Sequence, residues 1–193
     1  SPILPIINKE FPKTVLSVDT FHSEIAKRSI DNGVDIINDI SAGELDKNMF
    51  QTVAGLQAPY IMMHMQGKPQ NMQDNPNYKN VALEVMEYFK SKLQTLKELG
   101  VNNTLIDPGF GFGKTLEHNY QLLNHLNDFS ILDIPLLVGV SRKSMLYKTL
   151  DISAKEALNA TTSANTIALL NGASILRVHD VKEAVEAVKI VAQ

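Results

Sequence analysis

Short apolar runs rich in Val, Ile and Leu recur six times along the chain, and each is followed by a polar side chain. The polar residues that end the six runs are Asp19, Asn38, His64, Asp107, Ser141 and Arg177. Helical periodicity fills the intervals, most clearly over residues 24–32, 81–99, 154–170 and 181–192. We interpret Ser23 as the N-cap of the first of these helices. Regular alternation of strands and helices predicts an α/β fold with a parallel sheet.

Two architectures satisfy this alternation, an open doubly wound sheet and a closed barrel. In an open sheet, only the strands beside the switch point need polar endings, whereas a barrel brings all strand ends to one mouth. Polar residues at all six strand ends therefore favour a (β/α)8 TIM-type barrel. Turn chemistry also places Asp, Asn and Ser after strands, so the open sheet remains an alternative on this pattern alone.

The number of strands bears on which part of a barrel the chain represents. Six units are two fewer than a barrel needs, and 193 residues fall short of the roughly 250 that are typical of the fold. The apolar residues at positions 3–7, followed by Asn8, Lys9 and Glu10, are typical of a helix that leads into the first strand. We therefore predict a single domain over residues 1–193 that holds strands 3 to 8, with the first two β/α units lying before Ser1.

The charge and cysteine content exclude several classes of protein. The chain has 18 basic and 21 acidic residues and a net charge of -3, which offers no general attraction to nucleic acid or to an anionic membrane surface. No apolar run reaches the roughly 18 residues that a membrane-spanning helix needs. The chain has no Cys, which excludes disulfides and thiolate metal sites. We expect neither nucleic acid nor a membrane as a partner.

The most unusual segment is the glycine-rich sequence at residues 107–115. It is similar to a phosphate-binding loop. That motif needs four residues between its first Gly and its Gly-Lys-Thr, but only three residues lie between Gly109 and Gly113-Lys114-Thr115. The segment predicts instead a flexible glycine loop at a strand end. Phe110 and Phe112 would offer aromatic rings to a flat ligand, with the ammonium of Lys114 nearby.

Cationic side chains cluster after the last two strands. Arg142 and Lys143 stand where a helix is expected to begin, although the exposed N–H groups of a helix N-terminus disfavour cations. A bound anion or an aromatic face would explain them. Arg177 and His179, two residues apart beyond the final strand, suit a phosphate or pyrophosphate.

Three short polar side chains form a second class of candidates. Asp19, Asn38 and Asp107 suit the N–H edge of a heterocycle, although each one alone is more often a cap or turn residue. His64 stands among methionines and is interpreted as a structural residue. The chain has no His-x-x-x-His motif, and no spacing supports a catalytic triad of Ser141, His179 and Asp19.

Six motifs in this order resemble the dihydropteroate synthase family over essentially the whole chain. They are Ser17-Val18-Asp19-Thr20, Ile37-Asn38-Asp39-Ile40, Met63-His64-Met65-Gln66-Gly67, Asp107-Pro108-Gly109-Phe110-Gly111-Phe112-Gly113-Lys114, Gly139-Val140-Ser141-Arg142-Lys143-Ser144 and Arg177-Val178-His179-Asp180-Val181. Six ordered motifs are far more specific than any one of them.

The resemblance implies a (β/α)8 barrel that joins 6-hydroxymethyl-7,8-dihydropterin pyrophosphate to p-aminobenzoate. The products would be 7,8-dihydropteroate and pyrophosphate, in folate biosynthesis. It implies pterin binding by Asp19, Asn38, Met63, Asp107 and Lys143, with Asp19, Asp107 and Lys143 in the chemistry. It implies contact with p-aminobenzoate by Phe112, Lys143 and Ser144, and pyrophosphate binding by Arg177 and His179.

The same resemblance implies further properties that no motif of the chain carries. Mg²⁺ would accompany the pyrophosphate, with its protein ligand in a loop before Ser1 and none in this chain. A cytoplasmic homodimer that is a target of sulfonamides is also expected. Two alternatives remain: a pterin-binding methyltransferase that acts on methyltetrahydrofolate, and a pterin-binding module without catalysis. Arg177 and His179 favour the synthase, because a methyl donor without pyrophosphate needs no anion site.

Overall fold

A computed structural model describes residues 3–67 and 70–193. The chain divides into two compact units. The first comprises the residues up to His64 together with Phe89–Ile106, and the second comprises Met65–Tyr88 and Asp107–Gln193. No helix within the described ranges is long and apolar enough to cross a membrane.

Strands and helices alternate along the chain, as the apolar runs predict. The described strands are β1 (Ser17–Asp19), β2 (Ile36–Asp39), β3 (Tyr60–Met63), β4 (Thr104–Asp107), β5 (Leu137–Val138) and β6 (Ile175–Leu176). The described α-helices are α1 (Ile3–Glu10), α2 (Ser23–Ile30), α3 (Met49–Leu56), α4 (Val81–Glu98), α5 (Leu116–Asn124), α6 (Ser144–Thr149), α7 (Leu158–Leu170) and α8 (Val181–Val191). A 3₁₀ helix at Leu126–Leu132 follows α5.

The strands form two sheets. The order in the larger sheet is β1-β2-β3-β4, with β1 parallel to β2 and β2 parallel to β3. Strands β5 and β6 form a second, parallel pair in the second unit. All four residues of β3 are buried, which is typical of a strand covered on both faces of a parallel sheet.

Each unit has its own apolar core. The largest fully buried side chains of the first unit include Ile37, Tyr60, Met62, Phe89, Leu96 and Ile106. Those of the second unit include Phe110, Leu122, Leu126, Phe129 and Met145. In the second unit, α7 packs against α8.

All six predicted strands are present, but several boundaries differ from the prediction. His22, not Ser23, is the N-cap of α2, because Ser23 lies in the first turn and its N–H donates to Asp46 Oδ2 at 2.7 Å. Helix α7 begins at Leu158 rather than at residue 154, because turns occupy the residues before it. The prediction of one domain over residues 1–193 stays a prediction.

The carboxylate of Asp39 fixes the turn after β2. Its Oδ1 accepts hydrogen bonds from the Ser41 N–H at 2.8 Å and the Ser41 hydroxyl at 2.7 Å. Its Oδ2 accepts from the Gly43 N–H at 2.8 Å and the Tyr60 hydroxyl at 2.7 Å. Asp39 is fully buried, so these four donors replace the water that the carboxylate loses on folding.

We expect Asp39→Ala to lower the free energy of unfolding by about 3 kcal/mol, because it leaves several buried donors without an acceptor. Tyr60→Phe removes one of the four bonds and should cost about 1.5 kcal/mol. Urea denaturation followed by circular dichroism measures both values. The control Asp31→Ala, at an exposed position, should stay within about 0.5 kcal/mol of the parent. A loss for Asp39→Ala no larger than that of the control would contradict this role.

Candidate functional site

The first unit brings together two of the predicted residues, Asp19 and Asn38. They are opposite each other in the β1–β2 register, and Asn38 Nδ2 donates to Asp19 Oδ1 at 2.7 Å. Asn38 is 7% exposed, and its Oδ1 is buried with no hydrogen-bond partner among the described residues. Asp19 is exposed, because β1 is an edge strand of its sheet. A buried amide oxygen without a donor is an acceptor available to a ligand.

Strand β3 ends at Met63 and His64 follows it, and both side chains are buried. The His64 ring meets the Phe89 ring edge to face, with 6.5 Å between the ring centroids. This contact supports the interpretation of His64 as a structural residue. Met63 is apolar and lies at the carboxyl end of β3. Asp19 and Asn38, the other predicted pterin ligands of the first unit, lie at or near the carboxyl ends of β1 and β2.

In the second unit, hydrogen bonds hold the glycine loop after β4 in a defined conformation. Asp107 Oδ1 accepts from the Gly109 N–H, and Asn119 Oδ1 accepts from the Gly111 N–H at 2.7 Å. Tyr78 donates its hydroxyl to the Gly113 carbonyl at 2.9 Å. Gly109, Gly111 and Gly113 all have positive φ, which favours glycine at each position. Side chains therefore bind the backbone groups of this loop, which the sequence analysis predicts only as a flexible loop.

Lys114 is buried, and its ammonium binds the backbone of this loop. It is 3% exposed, and its Nζ donates to the Gly109 carbonyl at 3.0 Å and to the Phe112 carbonyl at 3.1 Å. Burial lowers the pKa of Lys114 to about 7, although attraction to Asp107 opposes that shift. The expectation of an ammonium offered to a flat ligand is wrong, because the loop carbonyls already bind it.

Asp107 is a buried carboxyl group whose charge is attracted by three cations. It is 6% exposed, and burial raises its pKa. The attraction of Lys143, the hydrogen bond from the Gly109 N–H, and the charges of Lys114 and Arg177 oppose that rise. A buried carboxyl faced by three cations at a strand end is a candidate for function.

Lys143 connects several of the predicted residues. Its Nζ donates to the Phe110 carbonyl and lies 5.0 Å from the centroid of the Phe112 ring. Burial lowers the pKa of Lys143, and Asp107 raises it. The aromatic face that we expected near this cation is therefore Phe112. Ser144, the next residue, is the first residue of α6.

The predicted anion-binding residues Arg177 and His179 are both exposed beyond β6. His179 is held by Ser141, whose Oγ accepts the His179 backbone N–H at 3.2 Å and lies 2.9 Å from Nδ1. In a hydrolase triad the serine faces Nε2 instead, so this contact does not form a triad. Nε2 is the ring nitrogen that remains for a ligand.

Arg142 has a structural partner that the sequence did not indicate. Its Nε and Nη2 donate to the two carboxylate oxygens of Asp180 at 2.8 and 2.9 Å, and Nη1 donates to the Ala154 and Lys155 carbonyls. The hydrogen bond from Arg142 lowers the pKa of Asp180. The hypothesis that Arg142 binds an anion is therefore wrong, because the carboxylate of Asp180 neutralises its guanidinium.

The structure thus groups the predicted residues in two sets. Asp19 and Asn38 contact each other in the first unit, which also contains Met63. The second unit holds Asp107, Phe112, Lys143, Ser144, Arg177 and His179. The sequence analysis missed two contacts. One is the binding of Lys114 to the Gly109 and Phe112 carbonyls, and the other is the contact between Ser141 and His179. Their only sequence signal is that Lys114, Ser141 and His179 all lie inside the motifs.

The described part of the chain contains no cluster of side chains suited to coordinating a metal ion. No group of three or more His, Asp or Glu side chains is placed there to hold an ion.

Comparisons with known proteins identify the family of this chain. A family model described as pterin binding enzyme matches residues 1–179. The dihydropteroate synthase of Escherichia coli K12 is 41% identical over 192 residues, which cover 98% of this chain and 67% of that protein. The bifunctional dihydropteroate synthase/dihydropteroate reductase of Helicobacter pylori is 37% identical, over 90% of this chain and 46% of that protein.

Solved structures give the same result. A Yersinia pestis dihydropteroate synthase in complex with a sulfonamide drug has a TM-score of 0.94 and 39% identity, covering 99% of this chain and 70% of that one. A dihydropteroate synthase from Stenotrophomonas maltophilia with bound imidazole has a TM-score of 0.94 and 36% identity, over 98% of this chain and 72% of that one. The predicted α/β barrel class is confirmed by these similarities. The chain belongs to the pterin-binding enzyme family and, within it, to the dihydropteroate synthases.

Proposed function

We propose that this chain supplies the pterin-binding and pyrophosphate-binding residues of a dihydropteroate synthase. The C–O bond between the pterin methylene and pyrophosphate breaks, and a C–N bond forms to the amine of p-aminobenzoate, which loses a proton. The observation that carries this function is Asp107, a buried carboxylate faced by Lys143, Lys114 and Arg177. The family membership supplies the substrates.

Asn38 and Asp19 suit the donor edge of the pterin. The free Oδ1 of Asn38 accepts from an N–H group, and the carboxylate of Asp19 is a second acceptor held by the Asn38 amide. A pterin ring carries N–H and NH₂ donors on one edge, so both acceptors would be used together. Met63 would add an apolar contact to the ring.

Asp107 and Lys143 suit the part of the reaction in which charge moves. Loss of pyrophosphate leaves positive charge on the pterin, and an anion that is already oriented in a water-poor site stabilises such charge strongly. Asp107 meets both conditions, because it is buried and its Oδ1 is fixed by the Gly109 N–H at 2.8 Å. Lys143 would bind an acceptor on the pterin while it balances Asp107.

Phe112, Lys143 and Ser144 suit p-aminobenzoate. The half-buried Phe112 ring offers an apolar face to the aryl ring, with the Lys143 cation 5.0 Å from its centroid. Ser144 would donate to the substrate carboxylate from the first residue of α6. A cation, a hydroxyl and an aromatic ring together match an aromatic acid.

Arg177 and His179 suit the pyrophosphate. Both are exposed, and Ser141 orients the imidazole so that Nε2 is directed away from it. Arg142 takes no part, since Asp180 neutralises it. Guanidinium and imidazole groups at hydrogen-bond distance recognise phosphate oxygens well.

Mg²⁺ belongs to the proposal only as a companion of the pyrophosphate. Arg177 and His179 are not the oxygen ligands that Mg²⁺ prefers, so phosphate oxygens and water would supply its ligands. The ion, when bound, would neutralise charge on the leaving pyrophosphate. A homodimer and a cytoplasmic location are further proposals that rest on the family resemblance.

A turnover assay separates catalysis from binding alone. Incubation with the pterin pyrophosphate and p-aminobenzoate should release pyrophosphate and form dihydropteroate, whereas a binding module would bind the pterin without release. A sulfonamide should compete with p-aminobenzoate and leave pterin affinity unchanged. Pterin binding without pyrophosphate release would favour the non-catalytic alternative.

Asp107→Asn should lower the affinity for 6-hydroxymethylpterin by about 1.5 to 3 kcal/mol, the range for a hydrogen bond to a charged group. The amide retains one acceptor oxygen but loses the negative charge. Isothermal calorimetry measures the loss. The matched control is Asp151→Asn, an exposed position with positive φ that Asn tolerates well. Parent-like affinity in Asp107→Asn would remove this residue from the pterin site.

Arg177→Ala should weaken binding of the pyrophosphate substrate about tenfold or more and leave binding of 6-hydroxymethylpterin nearly unchanged, because we propose that the guanidinium binds the phosphates and not the pterin ring. Calorimetry with the two ligands in parallel gives the ratio. Arg28→Ala, which removes an exposed arginine paired with Glu24, is the control. Equal losses of affinity for the two ligands would show that Arg177 does not specifically bind the pyrophosphate.

A further inference from the structure

We propose that Lys114 is a positioning residue of the pterin site: it closes the glycine loop from beneath and holds the negative charge of Asp107 that the pterin needs. This inference rests on the proposed function, since it concerns the residue that would bind the pterin. Lys114 itself contacts no substrate in this arrangement.

The geometry of the loop supports the first part. The Gly109 carbonyl and the Phe112 carbonyl both accept hydrogen bonds from Lys114 Nζ, at 3.0 and 3.1 Å. The Phe112 N–H donates to the same Gly109 carbonyl at 3.1 Å, which closes a turn. The Lys114 ammonium thus fixes both Gly109, whose N–H binds Asp107, and Phe112, which carries the aromatic ring.

The charges around Asp107 support the second part. Three cations attract this carboxylate: Lys143, Lys114 and Arg177. Lys114 is also linked to it through the loop, because its Nζ binds the carbonyl of Gly109, the residue whose N–H binds Asp107 Oδ1. Arg177 is exposed, and Lys143 is shared with the Phe110 carbonyl and the Phe112 ring, so substrates would compete for both. Lys114 is 3% exposed and out of reach of a ligand. It is therefore the cation whose effect on Asp107 stays constant when substrates bind.

A purely structural lysine and a charge-holding lysine differ in one measurable property. Both would lower pterin affinity when removed. The charge-holding role lowers the pH at which Asp107 takes up a proton, because the attraction of Lys114 lowers the pKa of that carboxyl. Lys114→Gln isolates this effect, since it keeps a donor for the loop carbonyls and should retain the hydrogen bond from the Gly109 N–H to Asp107. Without Lys114, Asp107 should protonate at a higher pH, and pterin binding should be lost earlier on acidification.

The test measures the affinity for 6-hydroxymethylpterin on the acid side, up to about pH 6.5, where an ammonium whose pKa is lowered to about 7 still carries its charge. The variants are Lys114→Met, which removes the charge and both hydrogen bonds, and Lys114→Gln, which removes the charge but keeps a donor. Lys148→Met, at an exposed position of the same unit, is the matched control. A melting curve for each protein verifies that it is folded.

We expect the acid midpoint of binding to rise by about one pH unit or more in both variants, which is the effect of losing one nearby opposite charge. Below the midpoint, this corresponds to about tenfold weaker binding. Lys148→Met should keep the parent midpoint. Should Lys114→Met not fold, Lys114→Gln provides the same comparison, and Lys114→Arg, which keeps the charge, should retain the parent midpoint.

The outcomes separate this inference from the proposed function. A uniform loss of affinity with an unchanged midpoint would show a structural role only and overturn the inference. Asp107→Asn, measured alongside, tests the function itself. If Asp107→Asn binds like the parent, the proposed pterin site is wrong. If Asp107→Asn weakens binding while both Lys114 variants keep the parent midpoint, only the role of Lys114 is wrong.

Discussion

A carboxylate that is taken out of water must be compensated, and the second unit is arranged around this constraint at Asp107. Burial raises the pKa of Asp107, while a backbone N–H and three cations oppose the rise. The loop that follows the strand uses glycines with positive φ so that its backbone can turn back toward the carboxylate. Asn119 binds the Gly111 N–H, which stabilises the same turn. The cost of burying this charge is thus offset by groups that also shape the site.

The basic residues of this unit have different environments, and this gives each a different function. Arg142 is neutralised by Asp180 and stabilises the fold. Lys114 binds loop carbonyls beneath the surface, whereas Lys143 lies over the Phe112 ring. Arg177 is exposed. Under the proposed function, equal formal charges would therefore support packing, electrostatic tuning and substrate recognition, because burial and the nearest acceptor decide what each cation can bind.

The first unit contributes a simpler element, a pair of acceptors at the ends of adjacent parallel strands. The β1–β2 register places Asp19 opposite Asn38, and the amide uses its nitrogen on Asp19. Its buried oxygen then remains without a donor among the described residues, which is costly unless a ligand supplies one. This is the property expected of a site that recognises the N–H edge of a heterocycle.

The sequence by itself determined the strand order along the chain, the polar residue at each strand end and the family, because these depend on local periodicity and on motifs. It also distinguished candidate acceptors such as Asn38 from candidate anion binders such as Arg177. Only the tertiary structure decided that Lys114 is buried, that Arg142 pairs with Asp180 and that Ser141 orients His179. Those contacts join residues whose pairing depends on how loops fold back. Burial and charge pairing arise from that packing, so local sequence alone did not determine them.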